Sequence, residues 1–242
     1  MTPSRQTGSE PSERTGNWEL GWPDGRHDSN ILVVMYRDRV DAGEQLAKAL
    51  RESIVNDRRP LILGVPRGGV PVAAVIAEEL GGDLDVLVAH KLGAPGNPEF
   101  AIGAVAEDGS AYVDQRILRS HRIPDEYVRA ETERQLAEVK RRAQMLRGDR
   151  SPLPITGRIC VVVDDGVATG ATLEASLRLV QRLDADRVIA AVPVGPPDTI
   201  RRLGGVADAV VCPLQPRHFM AVGGWYERFD QVPDEDVIAL LE

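Results

Sequence analysis

The chain is poor in aromatic residues, which make up 4% of its 242 positions, and it has only two cysteines and four histidines. His121 and His218 have no partners at metal-ligand spacing, so a zinc site is not expected. Cys160 and Cys212 each fall in an apolar run, where buried thiols are expected rather than a disulfide. Positive charge is outnumbered, with 29 Lys and Arg against 37 Asp and Glu. The formal net charge is -8 and no basic cluster interrupts it, which argues against nucleic acid or a membrane surface as partner. No apolar run approaches the roughly 18 residues of a membrane span, and the first residues do not read as a signal peptide. A cytoplasmic location is the expectation. Two nucleotide fingerprints are also missing: no glycine-rich loop ends in Gly-Lys-Ser/Thr, and there is no GxGxxG.

What the chain does have is a sizeable apolar fraction, 43%, arranged in short regular blocks. Residues 1–28 stand apart, rich in Ser, Thr, Gly, Pro and charge, and read as a mobile tail whose Trp18 and Trp22 are candidates for docking on the domain that follows. From Ile31 the pattern becomes regular. Strands are expected at 31–35, 61–65, 84–89, 159–163, 187–192 and 209–212. Helices are expected along Val40, Leu46, Leu50 and Ile54, and at about 70–80, 171–183 and 197–203. This alternation implies an α/β fold, a mostly parallel sheet with helices on both faces, in one domain over 29–242. An insertion over about 91–150 interrupts it. Within that insertion, 101–105 and 110–113 can pair as a hairpin about Glu107-Asp108-Gly109, and Val128, Leu136, Val139, Ala143 and Leu146 trace a long charged helix.

The densest chemistry lies in Ile159–Thr172. An apolar strand buried on both faces ends in Asp164 and Asp165, a loop of Gly166, Val167, Ala168, Thr169 and Gly170 follows, and Leu173, Leu177 and Val180 then recur at helical spacing. Small residues let the backbone wrap an anion with its own amides. The helix N-terminus adds partial positive charge, and the Thr169 and Thr172 hydroxyls add donors. Such a loop suits a phosphate, while the carboxylate pair suits hydroxyls or a divalent cation; a sugar phosphate offers both. Acids at the carboxyl end of a buried strand serve many ligands in α/β proteins, so chemistry alone leaves the ligand open.

The segment Val161–Thr172 resembles the 5-phosphoribosyl 1-diphosphate (PRPP) motif of the type I phosphoribosyltransferases. That resemblance implies that Asp164 and Asp165 hold the ribose hydroxyls, and that Gly166, Val167, Ala168, Thr169, Gly170, Ala171 and Thr172 form the ribose and 5-phosphate loop. Gly64–Pro71 stands where the family places its diphosphate loop. It would bind through the backbone at Gly68 and Gly69 and through the guanidinium of Arg67, with a non-proline cis peptide somewhere in 65–69. Without the resemblance, the same residues read as a glycine-rich turn with a solvated arginine. Lys91–Gly103 and the Trp225-Tyr226 tail are similar to an uncharacterised branch of the family, and the similarity covers about 31–240.

Two Gly and two Pro make 91–98 read as a loop that forms neither helix nor sheet, and the resemblance makes it a mobile flap with Lys91 meeting the departing diphosphate. The C-terminal part, 213–242, concentrates aromatics. It reads either as a packed cap or as a hood whose Phe219, Trp225 and Tyr226 stack on the acceptor base. The implied activity is Mg2+-dependent transfer of a phosphoribosyl group from PRPP to a small nitrogenous acceptor, releasing diphosphate, by a homodimer. Few or no protein ligands would touch the metal, and none is assigned. Ala168 fills the loop position where 6-oxopurine enzymes carry an acid, so hypoxanthine and guanine are not the expected bases. The competing class is a PRPP sensor or regulator with the same fold and no turnover.

Overall fold

The computed structural model describes residues 35–54 and 59–242. The expected tail at 1–28, with Trp18 and Trp22, and nearly all of the strand expected at 31–35 lie outside the described residues.

A five-stranded sheet carries the fold. Its strands are β1 (Leu61–Gly64), β2 (Asp83–Val86), β6 (Ile159–Val163), β7 (Arg187–Ala191) and β8 (Ala209–Val211), in the order β2-β1-β6-β7-β8. Every pairing among them is parallel. Side chains alternate across such a sheet, so each apolar strand feeds two cores. Ile62, Val161, Val163 and Ile189 pack against α1 (Arg39–Leu50) and α2 (Gly69–Leu80). Leu61, Leu63, Cys160 and Val162 pack against α5 (Ala171–Arg182) and α6 (Pro197–Leu203). The chain is therefore α/β, with helices on both faces of a parallel sheet. Both cysteines are buried and unpaired, and burial pushes the Cys160 thiol up to about 11 and that of Cys212 to about 12.

The insertion forms its own small sheet. Strands β3 (Ala89–Ala94), β4 (Asn97–Ala106) and β5 (Ala111–Val113) are antiparallel, and α3 (Gln115–His121) and α4 (Asp125–Arg147) follow. The 101–113 hairpin and the long helix form where the pattern placed them. The strand expected at 84–89 does not hold together: the central strand stops at Val86, and Ala89 already belongs to β3. Lys91–Pro98 is also corrected, being a β-hairpin rather than a structureless loop. The ladder shifts register at Gly93, where a Cβ would stand 2.8 Å from the Pro98 backbone, so glycine is what lets the two arms close. The hairpin is anchored to α4 by the Tyr127 hydroxyl, which donates to the Gly93 carbonyl at 2.9 Å.

The C-terminal stretch divides in two. Tyr226, with Phe219, Val222, Trp225 and Phe229, clusters around Tyr36 and Val194, whereas Val237 and Leu241 of α7 (Asp234–Leu241) join the core of the insertion.

Candidate active site

The site grows from the carboxyl ends of β1 and β6, which lie side by side in the centre of the sheet with Gly64 opposite Val163. The loop after β1 folds over the tip of β6: the Val65 amide donates to the Val163 carbonyl at 2.8 Å. A Cβ on Gly68 would stand 1.9 Å from Oδ2 of Asp165, and one on Gly69 would stand 2.4 Å from the Val163 carbonyl oxygen. Glycine is thus required at Gly69, where the clash is with backbone, while a Cβ at Gly68 would displace the Asp165 carboxylate. The one cis peptide among the described residues joins Pro66 to Arg67, inside the segment where the sequence reading placed it.

The two acids have different surroundings. Asp165 receives Arg39, whose Nε and terminal nitrogen lie 2.9 and 2.8 Å from Oδ2, with both side chains about 13–14% exposed. The same guanidinium stacks 4.0 Å from the Phe229 ring centroid and donates to the Asp230 carbonyl at 2.8 Å. The Tyr226 hydroxyl donates to the Asp165 carbonyl at 2.5 Å. Asp164 has no such cation: its Oδ1 accepts the Asp165 amide at 2.9 Å. Burial, and next the Asp165 charge, push the Asp164 carboxyl well above the usual carboxylate range. Burial raises Asp165 as well, but Arg39 opposes it. Of the two, Asp164 is the acid whose charged form is the more disfavoured.

Beyond the acids, the loop is held from behind by its carbonyls. Thr199 donates to Ala168 O at 2.8 Å and Arg202 donates to Thr169 O. The Val167 amide is tied to Val194 O at 2.9 Å. Gly170 starts α5 without a side-chain cap, so the first-turn amides are the unpaired donors of a helix N-terminus. Ala168, Thr169 and Thr172 are exposed at this end, Ala171 is half-buried, and Gly166 and Val167 are buried.

The remaining expected site residues are less closely gathered. Arg67 is half-exposed and lies 4.0 Å from Asp234 of α7. Lys91 sits in β3 opposite Ala104; the strand's start adjoins the loop after β1, since His90 and Pro66 line one small cleft of about 50 Å3 with Arg142. Phe219 and Trp225 are half-buried at the rim of the C-terminal cluster. Tyr226 is a correction: it is only 4% exposed, its ring tilts against Tyr36 and Phe229, and its hydroxyl is engaged by Asp165, so it positions the acid and offers no face to a base. Arg39 and Arg202 were not singled out from the sequence. Each reaches its partner across a long stretch of chain, and only the Asp38 cap before Val40 marks the first of them locally.

This arrangement defines a class. Residues 35–214 match the family model described as phosphoribosyl transferase domain, and the chain belongs to that family. Two Mycobacterium tuberculosis proteins, MT0597 and Rv0571c, provisionally named phosphoribosyl transferases, are each 44% identical over 210 residues; these residues are 87% of this chain and 47% of each relative. The chain thus spans about half the length of the curated relatives it matches. The crystal structure of TT1426 from Thermus thermophilus is 45% identical, with a TM-score of 0.80, covering 86% of this chain and 97% of that one.

Proposed function

We propose that the protein transfers the 5-phosphoribosyl group of PRPP to a small nitrogenous acceptor and releases diphosphate. The observation that carries this is the contact of two glycine-bearing anion loops at the tips of adjacent parallel strands, with an acid pair between them. In this reading the first-turn amides of α5 hold the 5-phosphate, the Gly68-Gly69 backbone and Arg67 hold the diphosphate, and Asp164 and Asp165 hold the ribose hydroxyls.

The chemistry needs few protein groups. A nitrogen lone pair forms the bond to C1 of the sugar while the C1–O bond breaks and its electrons leave with diphosphate. The acceptor's proton, where it has one to lose, passes to water. Asp164 and Asp165 take up the ribose hydroxyls, and Asp165 supplies negative charge facing the positive charge that develops on the ribose. Among the described residues no cluster of three or more His, Cys, Asp or Glu makes a metal cage, and Asp165 is already paired. That donor set would suit a Mg2+ ion needing few protein ligands, with Asp164 and Asp165 as the carboxylates that would help to hold it. When bound, the ion would neutralise the diphosphate.

No helix among the described residues is long and apolar enough to cross a membrane. The deciding experiment is diphosphate release from PRPP and Mg2+ across a panel of bases and amines, with ligand-induced stabilisation measured in parallel. Turnover with at least one acceptor establishes the transferase. Stabilisation by PRPP without turnover assigns the sensor instead, and neither response ends both readings. Hypoxanthine and guanine are expected to fail as acceptors, because Ala168 has no carboxylate for their imidazole edge; robust turnover with either removes that inference.

A further inference from the structure

The loop between β6 and α5 is aimed by residues that lie outside it. Thr199 and Arg202 stand three positions apart on α6, and so on one face, and each takes one carbonyl of the loop. The Thr199 hydroxyl donates to Ala168 O at 2.8 Å and the Arg202 guanidinium donates to Thr169 O. The peptides that follow these carbonyls are trans. In a planar trans peptide the carbonyl oxygen and the next amide hydrogen point in opposite directions, so drawing the two oxygens toward α6 turns the Thr169 and Gly170 amides away from it. Neither amide donates to a main-chain carbonyl among the described residues. They extend the donor set at the N-terminus of α5.

The support behind the loop is firm. Ile200 and Leu203 of α6 are buried in the same core as Val167 of the loop. Thr199 is itself only 5% exposed, which shields its bond from competing water. The helix also lies close: a Cβ on Gly170, at φ +72°, would stand 2.8 Å from Cγ2 of Thr199 and 3.2 Å from a terminal nitrogen of Arg202. Arg202 reaches Glu174 in the first turn of α5 as well, at 3.4 Å, so one guanidinium fixes the loop and the helix it leads into.

We propose that Thr199 and Arg202 are positioning residues for the sugar 5-phosphate: without touching the ligand, they aim the Thr169 and Gly170 amides at it by holding the preceding carbonyls. This deepens the phosphoribosyl reading above and rests on it. The grip on the phosphate is then set from α6, more than 30 positions along the chain from the amides that make it.

The test is calorimetric titration of the full chain with PRPP and two simpler probes: ribose 5-phosphate, which offers the 5-phosphate alone, and inorganic diphosphate with Mg2+, which lacks it. Thr199→Val keeps the size of the buried side chain but not its donor, and should weaken ribose 5-phosphate about tenfold, as for one lost hydrogen bond. Thr199→Ser keeps the hydroxyl and should bind it within about twofold of wild type. Arg202→Met should also weaken it about tenfold. Its side chain is 49% exposed, so it carries the test by itself if circular dichroism melts show that Thr199→Val does not fold. Diphosphate affinity should stay within about twofold of wild type in every folded variant, because a bond that served stability alone would not single out one phosphate site. Ribose 5-phosphate affinity unchanged in the folded donor-less variants, equal losses in Thr199→Val and Thr199→Ser, or diphosphate weakened as much as ribose 5-phosphate overturns the positioning role and leaves the phosphoribosyl reading standing. So does a wild-type chain that binds PRPP but not ribose 5-phosphate. A wild-type chain that binds none of the three overturns the phosphoribosyl reading, and the positioning role with it.

Discussion

Asp165 is paired with Arg39, whereas the Asp164 carboxyl is pushed up by burial and by the Asp165 charge, and this difference divides what their removal should do. Asp165→Asn takes a charged acceptor from the ribose and is expected to weaken PRPP binding by about 1.5–3 kcal/mol, whereas Asp164→Asn, at the acid whose charged form burial disfavours more, should lose less. Titration of both variants with PRPP checks the order. Equal losses would mean that burial does not set the two acids apart. Stability separates them further. A carboxyl whose folded pKa is raised stabilises the fold fully only below its unfolded pKa, and that contribution is lost as pH rises through the folded value. Burial makes Asp164 such a group, so part of the wild-type stability should decline from about pH 4 toward neutrality and the decline should be largely absent in Asp164→Asn. Urea unfolding at stepped pH reads this directly. The acid pair was legible in the sequence as a candidate because strand, acids and the glycine-bearing loop are contiguous. Their inequality was not, because Arg39 lies 126 positions away and no local pattern announces it.

Among the elements, the helices were the most readable. Apolar residues at helical spacing placed 70–80, 171–183 and 197–203 within a residue or two of α2, α5 and α6, since that spacing is itself the buried stripe. The β3–β4 hairpin was obscured by the residues that make it possible. Gly93 sits at the register shift and Pro98 at the start of β4, and both types ordinarily signal a break. A hairpin fastened at Gly93 moves as a unit, if it moves, and not as a frayed loop. Tyr127→Phe removes only the hydroxyl bonded to the Gly93 carbonyl, about 1 kcal/mol, and amide hydrogen exchange over 91–98 should quicken by several-fold while α4 is unchanged. Unaltered exchange there would show that the pairing with β4 alone holds the arm.

For the molecule as a whole, the insertion is joined to the central sheet by one buried arginine. Arg147, at the end of α4, donates from Nε to Asp85 of β2 at 2.8 Å, reaches Glu107 at 2.5 Å and donates to the Val86 carbonyl at 2.6 Å; Asp85 also accepts the Leu153 amide at 2.8 Å. Three separate segments meet at this one cation, and Asp85 ties in a fourth through Leu153. Arg147→Met should leave Asp85 and Glu107 buried without a counter-charge and cost about 3–5 kcal/mol, measured by urea unfolding. Adding Asp85→Leu and Glu107→Leu should recover much of it, because the penalty comes from uncompensated charge rather than lost packing. A loss under about 1 kcal/mol in the single variant would show that water replaces the arginine. No sequence pattern pointed to this junction, since its members are far apart in the chain and each alone is an ordinary surface-type residue.

The neighbouring positions of β1 and β6 work as a ruler. Adjacent strands stand about 4.8 Å apart because backbone hydrogen bonds set that spacing, and the two anion loops spring from strands held at that interval. In the proposed transferase, the gauge for a donor with two phosphate sites would therefore be written in main chain, where changing a side chain cannot rescale it. The aromatic rim around Phe219 and Trp225 has no such constraint. Selection for new acceptors should thus accumulate substitutions at the rim and leave the donor unchanged, and an ancestor and its descendants would share a donor while differing in what they modify.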